Sequence, residues 1–281
     1  NSGVDTSGLD LTYNKADYDR GSIAEAEKTL DQDISGEGYV LLKNDASLPL
    51  AKGTTLSFVS GNSRDLGVKA KSMLETTLGL EGGSSDALTP AMEQAGFSVN
   101  KTLTDFYATG KGKDYVMGPG SVSYGDDEDF SINECPLSVM RDAGVLDSME
   151  GTTPVYALKR VAGEGRDMPR SMYNHASSAE DRAKSYLEPD STELEILQYL
   201  NENFDNTVLV VNSNAAVELG WLADFPNIKS VLIVPTTGTY GVESLGRILA
   251  GDVNPSGRTV DTYVADASKS PAAQNFGDYQ Y

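Results

Sequence analysis

Cysteine and histidine each occur once in 281 residues, and each scarcity removes a class of chemistry. Cys135 has no second thiol to pair with, so no internal disulfide framework exists. Cys135 and His175 together supply too few ligands for a zinc cluster, and no metal is expected. The single histidine lies in an irregular polar segment, far in sequence from Ser60 and Ser213, which speaks against a Ser-His-Asp triad. Long apolar runs are also absent. No stretch approaches the roughly 18 residues of a membrane span, and the mean hydropathy is −0.34. Positive charge is scarce. Twenty-two Lys and Arg face 42 Asp and Glu, for a net charge of −20, which disfavours nucleic acid and an anionic membrane as partners, since both need basic surface. Gly61 and Gly67 follow a strand pattern, but neither a dinucleotide fingerprint nor a P-loop lysine accompanies them, and no cofactor is expected. The acidic run Asp126-Asp-Glu-Asp129 lacks EF-hand spacing and reads as a solvated charged loop. No signal-peptide pattern is present, and Asn1 in place of Met suggests a processed or trimmed start. The compartment, cytoplasmic or extracellular, stays open.

What is present is an alternation of helical and strand patterns long enough to bury a full core. Ser22 can cap a helix with an apolar face of Ile23, Ala26, Leu30 and Ile34. Gly38–Lys43 is a short apolar run ending in the turn-forming Asn44-Asp45, the runs at 56–60 and 97–99 read as strands, and Thr89–Ala95 reads as a helix stopped by Gly96. Residues 108–130 read as a surface excursion, and 131–149 as helical in part. In the second half, strands are expected near 154–160, 207–211 and 230–234. Asp190-Ser-Thr-Glu193 is a capping box opening a helix with Leu194, Leu197 and Leu200 inward. Ala215–Trp221 and Gly241–Ala250 read as helices, and Arg258–Tyr263 alternates as a final strand would. Strands separated by helices mean an α/β fold, a mainly parallel sheet with helices on both faces.

One stretch carries a candidate site. The strand run Val155-Tyr-Ala-Leu-Lys-Arg-Val-Ala162 breaks into Gly163-Glu164-Gly165, followed by Arg166 and Asp167. Ligands of a parallel sheet bind at the carboxyl ends of its strands. A carboxylate between two glycines has open backbone around it, a plausible mount for a general acid. The other reading is a solvated loop glutamate in a chain that has many. Glu243, after the last glycine turn, reads either as a substrate contact or as a carboxylate complementing a helix N-terminus.

Three collinear blocks resemble family 3 glycoside hydrolases. They are Tyr39-Val-Leu-Leu-Lys-Asn-Asp45 with Leu48-Pro-Leu50, Val208-Leu-Val-Val-Asn-Ser213 with Val217-Glu-Leu-Gly-Trp-Leu222, and Gly238-Thr-Tyr-Gly-Val-Glu243 running to Leu249-Ala-Gly-Asp-Val-Asn-Pro-Ser-Gly-Arg258. The resemblance covers roughly residues 22–265. It implies the α/β sandwich domain of a β-glucosidase-like enzyme, in the subgroup that places this domain before the barrel. Residues 1–21 are then an extended N-terminal arm, 22–266 the α/β sandwich, and 267–281 a C-terminal tail or linker. The family's acid/base glutamate comes from a loop of this domain, often within Gly-Glu-Gly after a strand, and Glu164 falls on that position. Its nucleophile is an aspartate on a TIM-like barrel. No run of eight strand–helix units is present here, and the single Trp221 follows Gly220 rather than an aspartate. The expected partners are thus a glycoside or oligosaccharide substrate and a barrel domain of the same protein, without which the chain is inactive. A retaining enzyme needs its acid protonated, so a guanidinium near Glu164 would work against it; Arg160 and Arg166 should point elsewhere, to Asp167 or to sugar hydroxyls. Arg166 and Asp167 are candidate substrate contacts, or alternatively an ion pair fixing the loop. The loop Gly61-Asn-Ser-Arg64 is poorer in Gly and Ser than its counterparts. The alternative function is a non-catalytic carbohydrate-binding or scaffolding domain of the same architecture.

Overall fold

A computed structural model of the chain describes residues 8, 20–64, 66, 88–118, 129–161, 168–172, 176, 178–238 and 240–271. Six strands form one sheet: β1 (Val40–Asn44), β2 (Thr55–Val59), β3 (Ser98–Val99), β4 (Thr153–Arg160), β5 (Thr207–Ser213) and β6 (Ile228–Ile233), in the order β1-β6-β5-β4-β2-β3. The β2–β3, β2–β4, β4–β5 and β5–β6 pairs are parallel, and β1 joins β6 antiparallel, with Val40 opposite Ile233. This is the mainly parallel α/β sandwich expected from the alternating pattern. β5 is buried at every position, which is why its sequence, TVLVVNS, runs apolar without alternation: a strand covered on both faces has no solvent side.

Helices occupy both faces. Leu209 and Val211 of β5, Tyr156 and Leu158 of β4, and Val231 and Ile233 of β6 pack against α3 (Lys101–Ala108), α4 (Leu137–Asp142) and α5 (Ser191–Asn203). The alternate residues Val208, Val210, Val155, Ala157 and Leu232 pack with α2 (Leu88–Gln94) and α6 (Gly241–Leu249). The period-2 alternation of side chains along a strand divides the residues between two cores. At the head of α5, Asp190 accepts from the Glu193 amide, and Glu193 returns the bond to the Asp190 amide, so the capping box forms. Gly96, at φ +94°, turns the chain out of α2.

Three expectations are corrected. The first helix, α1 (Arg20–Gly38), begins two residues before Ser22, and its apolar stripe does not face the core: Leu30 is 59% and Ile34 61% exposed. α1 docks on α6 through its polar side instead. Asp31 accepts from the Tyr240 amide, Gln32 donates to Glu243, Lys28 pairs with Glu243 at 3.2 Å, and Ser244 donates to the Gln32 carbonyl. Gly241 permits the close approach, since a Cβ there would overlap Ser35 and Tyr39. Glu243 is therefore engaged by α1. Second, residues 258–263 form no strand, and Val260 is 98% exposed. β1 occupies the outer edge of β6, so this segment finds no ladder there. Third, the short helix expected at 215–221 is a 3₁₀ turn displaced to Gly220–Asp224.

Candidate active site

The strand order reverses at one point. β3 lies to one side of β2, while β4, β5 and β6 follow one another on the other side. The crevice outside the carboxyl ends of β2 and β4 is thus the topological switch point, where open α/β sheets bind ligands. Glu164, Arg166 and Asp167 follow β4 in the sequence; all three lie outside the described residues, as does His175.

β4 ends in a buried arginine. Arg160 forms a bidentate pair with Glu193 at 2.9 and 2.7 Å, and both side chains are shielded from solvent. It also donates to the carbonyls of Tyr186 at 2.6 Å, Lys159 at 2.6 Å and Glu188. Burial opposes the guanidinium charge, and Glu193 more than offsets this. Among the described residues, the carboxylate that pairs with Arg160 is that of Glu193, the glutamate of the capping box. The Arg160 charge is spent on the protein's own carboxylate. Tyr186 lies beneath: its ring stacks edge-on to Phe130 at 5.6 Å, Arg160 sits 5.7 Å from its centroid, and its hydroxyl accepts from the Val161 amide at 3.2 Å.

At the exit of β2, Ser60 adopts φ +143°, a region L-residues rarely occupy. Its hydroxyl donates to Glu134 at 2.7 Å and accepts from the Asn62 amide at 3.0 Å, and Asn62 in turn accepts from the Met117 amide. Glu134 is 4% exposed. It also accepts from the Cys135 amide at 2.8 Å and Tyr156 Oη at 3.2 Å. Burial raises the Glu134 carboxyl to about 8, against the opposing pull of these hydrogen bonds. At neutral pH it carries its proton and acts as a neutral polar brace under the crevice. The Cys135 thiol is pushed up to about 12 by burial and by Glu134, so it is an inert buried thiol rather than a nucleophile.

A third brace spans the remaining exits. Asn212, near the end of β5, donates to the carbonyls of Leu66, Val234 and Pro235 at 3.2, 2.9 and 3.0 Å. It ties the segments after β2 and β6 to β5. Sequence reasoning offers Glu134 only as an alternative carboxylate, beside Asp167, should Glu164 fail as the acid, and Asn212 only as part of the polar exit of a strand; it foresees neither as a buried brace. The available signal was a polar residue next to an apolar strand or buried segment, and it does not name a partner. Among the described residues no group of three or more His, Cys, Asp or Glu could hold a metal ion.

The comparisons with known proteins agree with this architecture. The model of the glycosyl hydrolase family 3 C-terminal domain matches residues 39–281. Beta-glucosidase A of Butyrivibrio fibrisolvens is 26% identical over 264 residues, covering 85% of this chain and 29% of the relative. The beta-glucosidase of Ruminococcus albus is 27% identical over 251 residues, covering 87% and 24%. Among solved structures, beta-glucosidase 3B of Thermotoga neapolitana in complex with glucose aligns with a TM-score of 0.65 at 16% identity, over 90% of this chain and 33% of that one. A beta-glucosidase of Paenibacillus barengoltzii aligns with a TM-score of 0.64 at 21% identity, over 90% and 26%. These structural likenesses bear on the fold alone. The chain spans 29% and 24% of the length of the two curated relatives. From the matched family model and the sheet it describes, the chain belongs to the glycosyl hydrolase family 3 C-terminal domain family.

Proposed function

We propose that this chain supplies the acid/base half of a retaining β-glycosidase site acting on β-glucosides or related glycosides, with Glu164 as the acid/base. The nucleophilic carboxylate comes from a barrel domain of the same protein. One observation supports the reading: β4, which Gly163-Glu164-Gly165 follows in sequence, ends at the switch point of a family 3 sheet. The charge of Arg160, the cation closing β4, is compensated by Glu193, which removes one influence that would hold a nearby acid ionised.

In this mechanism Glu164 protonates the glycosidic oxygen as the nucleophile attacks the anomeric carbon. It then takes a proton from the water that releases the sugar. The two carboxyl groups must stand about 5–5.5 Å apart. Arg166 and Asp167, two and three residues on, are proposed to contact sugar hydroxyls. The experiment is a leaving-group comparison in the full-length protein. Glu164→Gln should lower kcat/KM by about 10²–10⁴-fold on an alkyl β-glucoside, the range for losing general acid catalysis. The loss on a 2,4-dinitrophenyl β-glucoside should be far smaller, because that leaving group needs no proton. Equal losses on both substrates would refute the assignment.

A further inference from the structure

Arg160 has five N–H donors, and the five are taken: Nε by the Tyr186 carbonyl, one terminal nitrogen by the Lys159 carbonyl and Glu193, the other by the Glu188 carbonyl and Glu193. No donor remains for a ligand, and the side chain is fully buried. Arg160 can influence a reaction only through the protein. What it holds is specific. The segment 184–188 holds the described residues on both sides of 162–167, the two feet of that stretch. The first foot is Val161, whose amide donates to Tyr186 Oη, next to Arg160, which grips the Tyr186 and Glu188 carbonyls. The second foot is the antiparallel bridge between Ser171 and Ser185, with the Met172 amide on the Lys184 carbonyl at 3.0 Å. The segment is itself fixed. Lys184 pairs with buried Asp181 at 2.8 Å, Asp181 accepts from the Ser191 amide at 2.9 Å, and Ser191 opens the helix whose Glu193 closes back on Arg160.

From this closed circuit we infer that Arg160 and Tyr186 are positioning residues for the reaction, setting the pose of the carboxyl that follows β4; the inference rests on the reading of Glu164 as acid/base. A misplacement of about 1 Å in a reacting group can cost on the order of 10²-fold in rate, so a platform gripping both loop ends has kinetic leverage without touching substrate. Lysine cannot replace Arg160, because a point-charge ammonium offers three donors and no planar fork.

The test uses the full-length protein and kcat/KM on two substrates, an alkyl β-glucoside and a 2,4-dinitrophenyl β-glucoside. Tyr186→Phe keeps the ring against Phe130 and removes only the hydroxyl that accepts from Val161. It should lower kcat/KM on the alkyl glucoside by roughly 10–100-fold and on the dinitrophenyl glucoside by less than about threefold. Arg160→Lys should show the same split, more strongly. Where Arg160→Lys does not fold, Tyr186→Phe decides alone. Added to Glu164→Gln, Tyr186→Phe should produce no further discrimination between the substrates. Equal losses on both substrates, with Glu164→Gln still discriminating, would mean that the cluster is packing alone and would overturn the inference. A Glu164→Gln variant that does not discriminate would overturn the reading of Glu164, and the inference with it.

Discussion

Replacing Glu134 by Gln should make the chain more stable at pH 8 while leaving it nearly unchanged at pH 5. Burial lifts this carboxyl from an ordinary 4.5 to about 8. The folded state therefore keeps its proton through a window in which the unfolded chain has released it. The stability tied to that proton is full below pH 4.5 and falls as pH rises to about 8. A displacement of this size is worth about 5 kcal/mol in all, of which roughly 3–4 kcal/mol falls between pH 5 and pH 8. Glutamine has the shape of the protonated acid. Its carbonyl can accept from the Cys135 amide, and its amino group can donate to the hydroxyls of Ser60 and Tyr156, which reverse roles freely. The charged group whose field reaches Glu134 is Glu193, whose negative charge raises it further; the hydroxyls of Ser60 and Tyr156 and the Cys135 amide act the other way. Asp190, also raised by burial, to about 6, titrates within the same range and is common to both proteins. Urea unfolding of the 281-residue chain and its Glu134→Gln variant, at half-unit steps from pH 5 to 8.5, isolates the effect as a difference. The two curves should lie close at pH 5 and separate by about 3–4 kcal/mol at pH 8 in favour of the variant. Parallel curves would refute the claim that Glu134 is buried and protonated.

Two further substitutions probe the packing. Gly61→Ala would push a Cβ into the Tyr115 carbonyl, a backbone atom that cannot swing aside, and should cost about 1–3 kcal/mol in urea unfolding; a change within about 0.5 kcal/mol would contradict the described path after β2. Leu30→Gln and Ile34→Gln on α1 should alter stability by no more than about 0.5 kcal/mol, because both side chains are exposed, and a loss of about 2 kcal/mol in the same assay would show that the stripe is covered.

The sheet was legible where its chemistry is local. The runs at 153–160, 207–213 and 228–233 stand between turn-forming residues, and buried parallel strands have no alternation to disguise them. The capping box at 190–193 could be read from spacing alone. The direction of α1 could not. A 3.6-residue stripe reports that a helix has two faces, not which one docks, and here Asp31, Gln32, Ser35 and Gly36 make the contact. The edge position at β6 went to β1 rather than to residues 258–263, since alternation says nothing of which segment reaches an edge first. In the site, Gly163-Glu164-Gly165 stood out in the sequence, whereas Glu134 could be named only as an alternative carboxylate, without its burial or its partners. Glu134 meets Ser60 across 74 residues and Tyr156 across 22, and such pairings leave no local pattern. Arg160 was visible as a guanidinium close in sequence to Glu164, but its partner lies 33 residues away, on a helix cap that had its own local explanation.

Whether Glu164 is the acid/base of a retaining site, as proposed, is decided by the configuration of a rescued product. Full-length protein carrying Glu164→Ala is incubated with 2,4-dinitrophenyl β-glucoside and sodium azide, and the product is identified by NMR. An acid/base variant still forms the glycosyl-enzyme intermediate and stalls at its hydrolysis; azide attacks that intermediate without needing a base, so turnover should speed up and yield a β-glucosyl azide. An α-glucosyl azide would assign Glu164 the role of nucleophile, and the absence of any acceleration by azide would remove it from the chemistry.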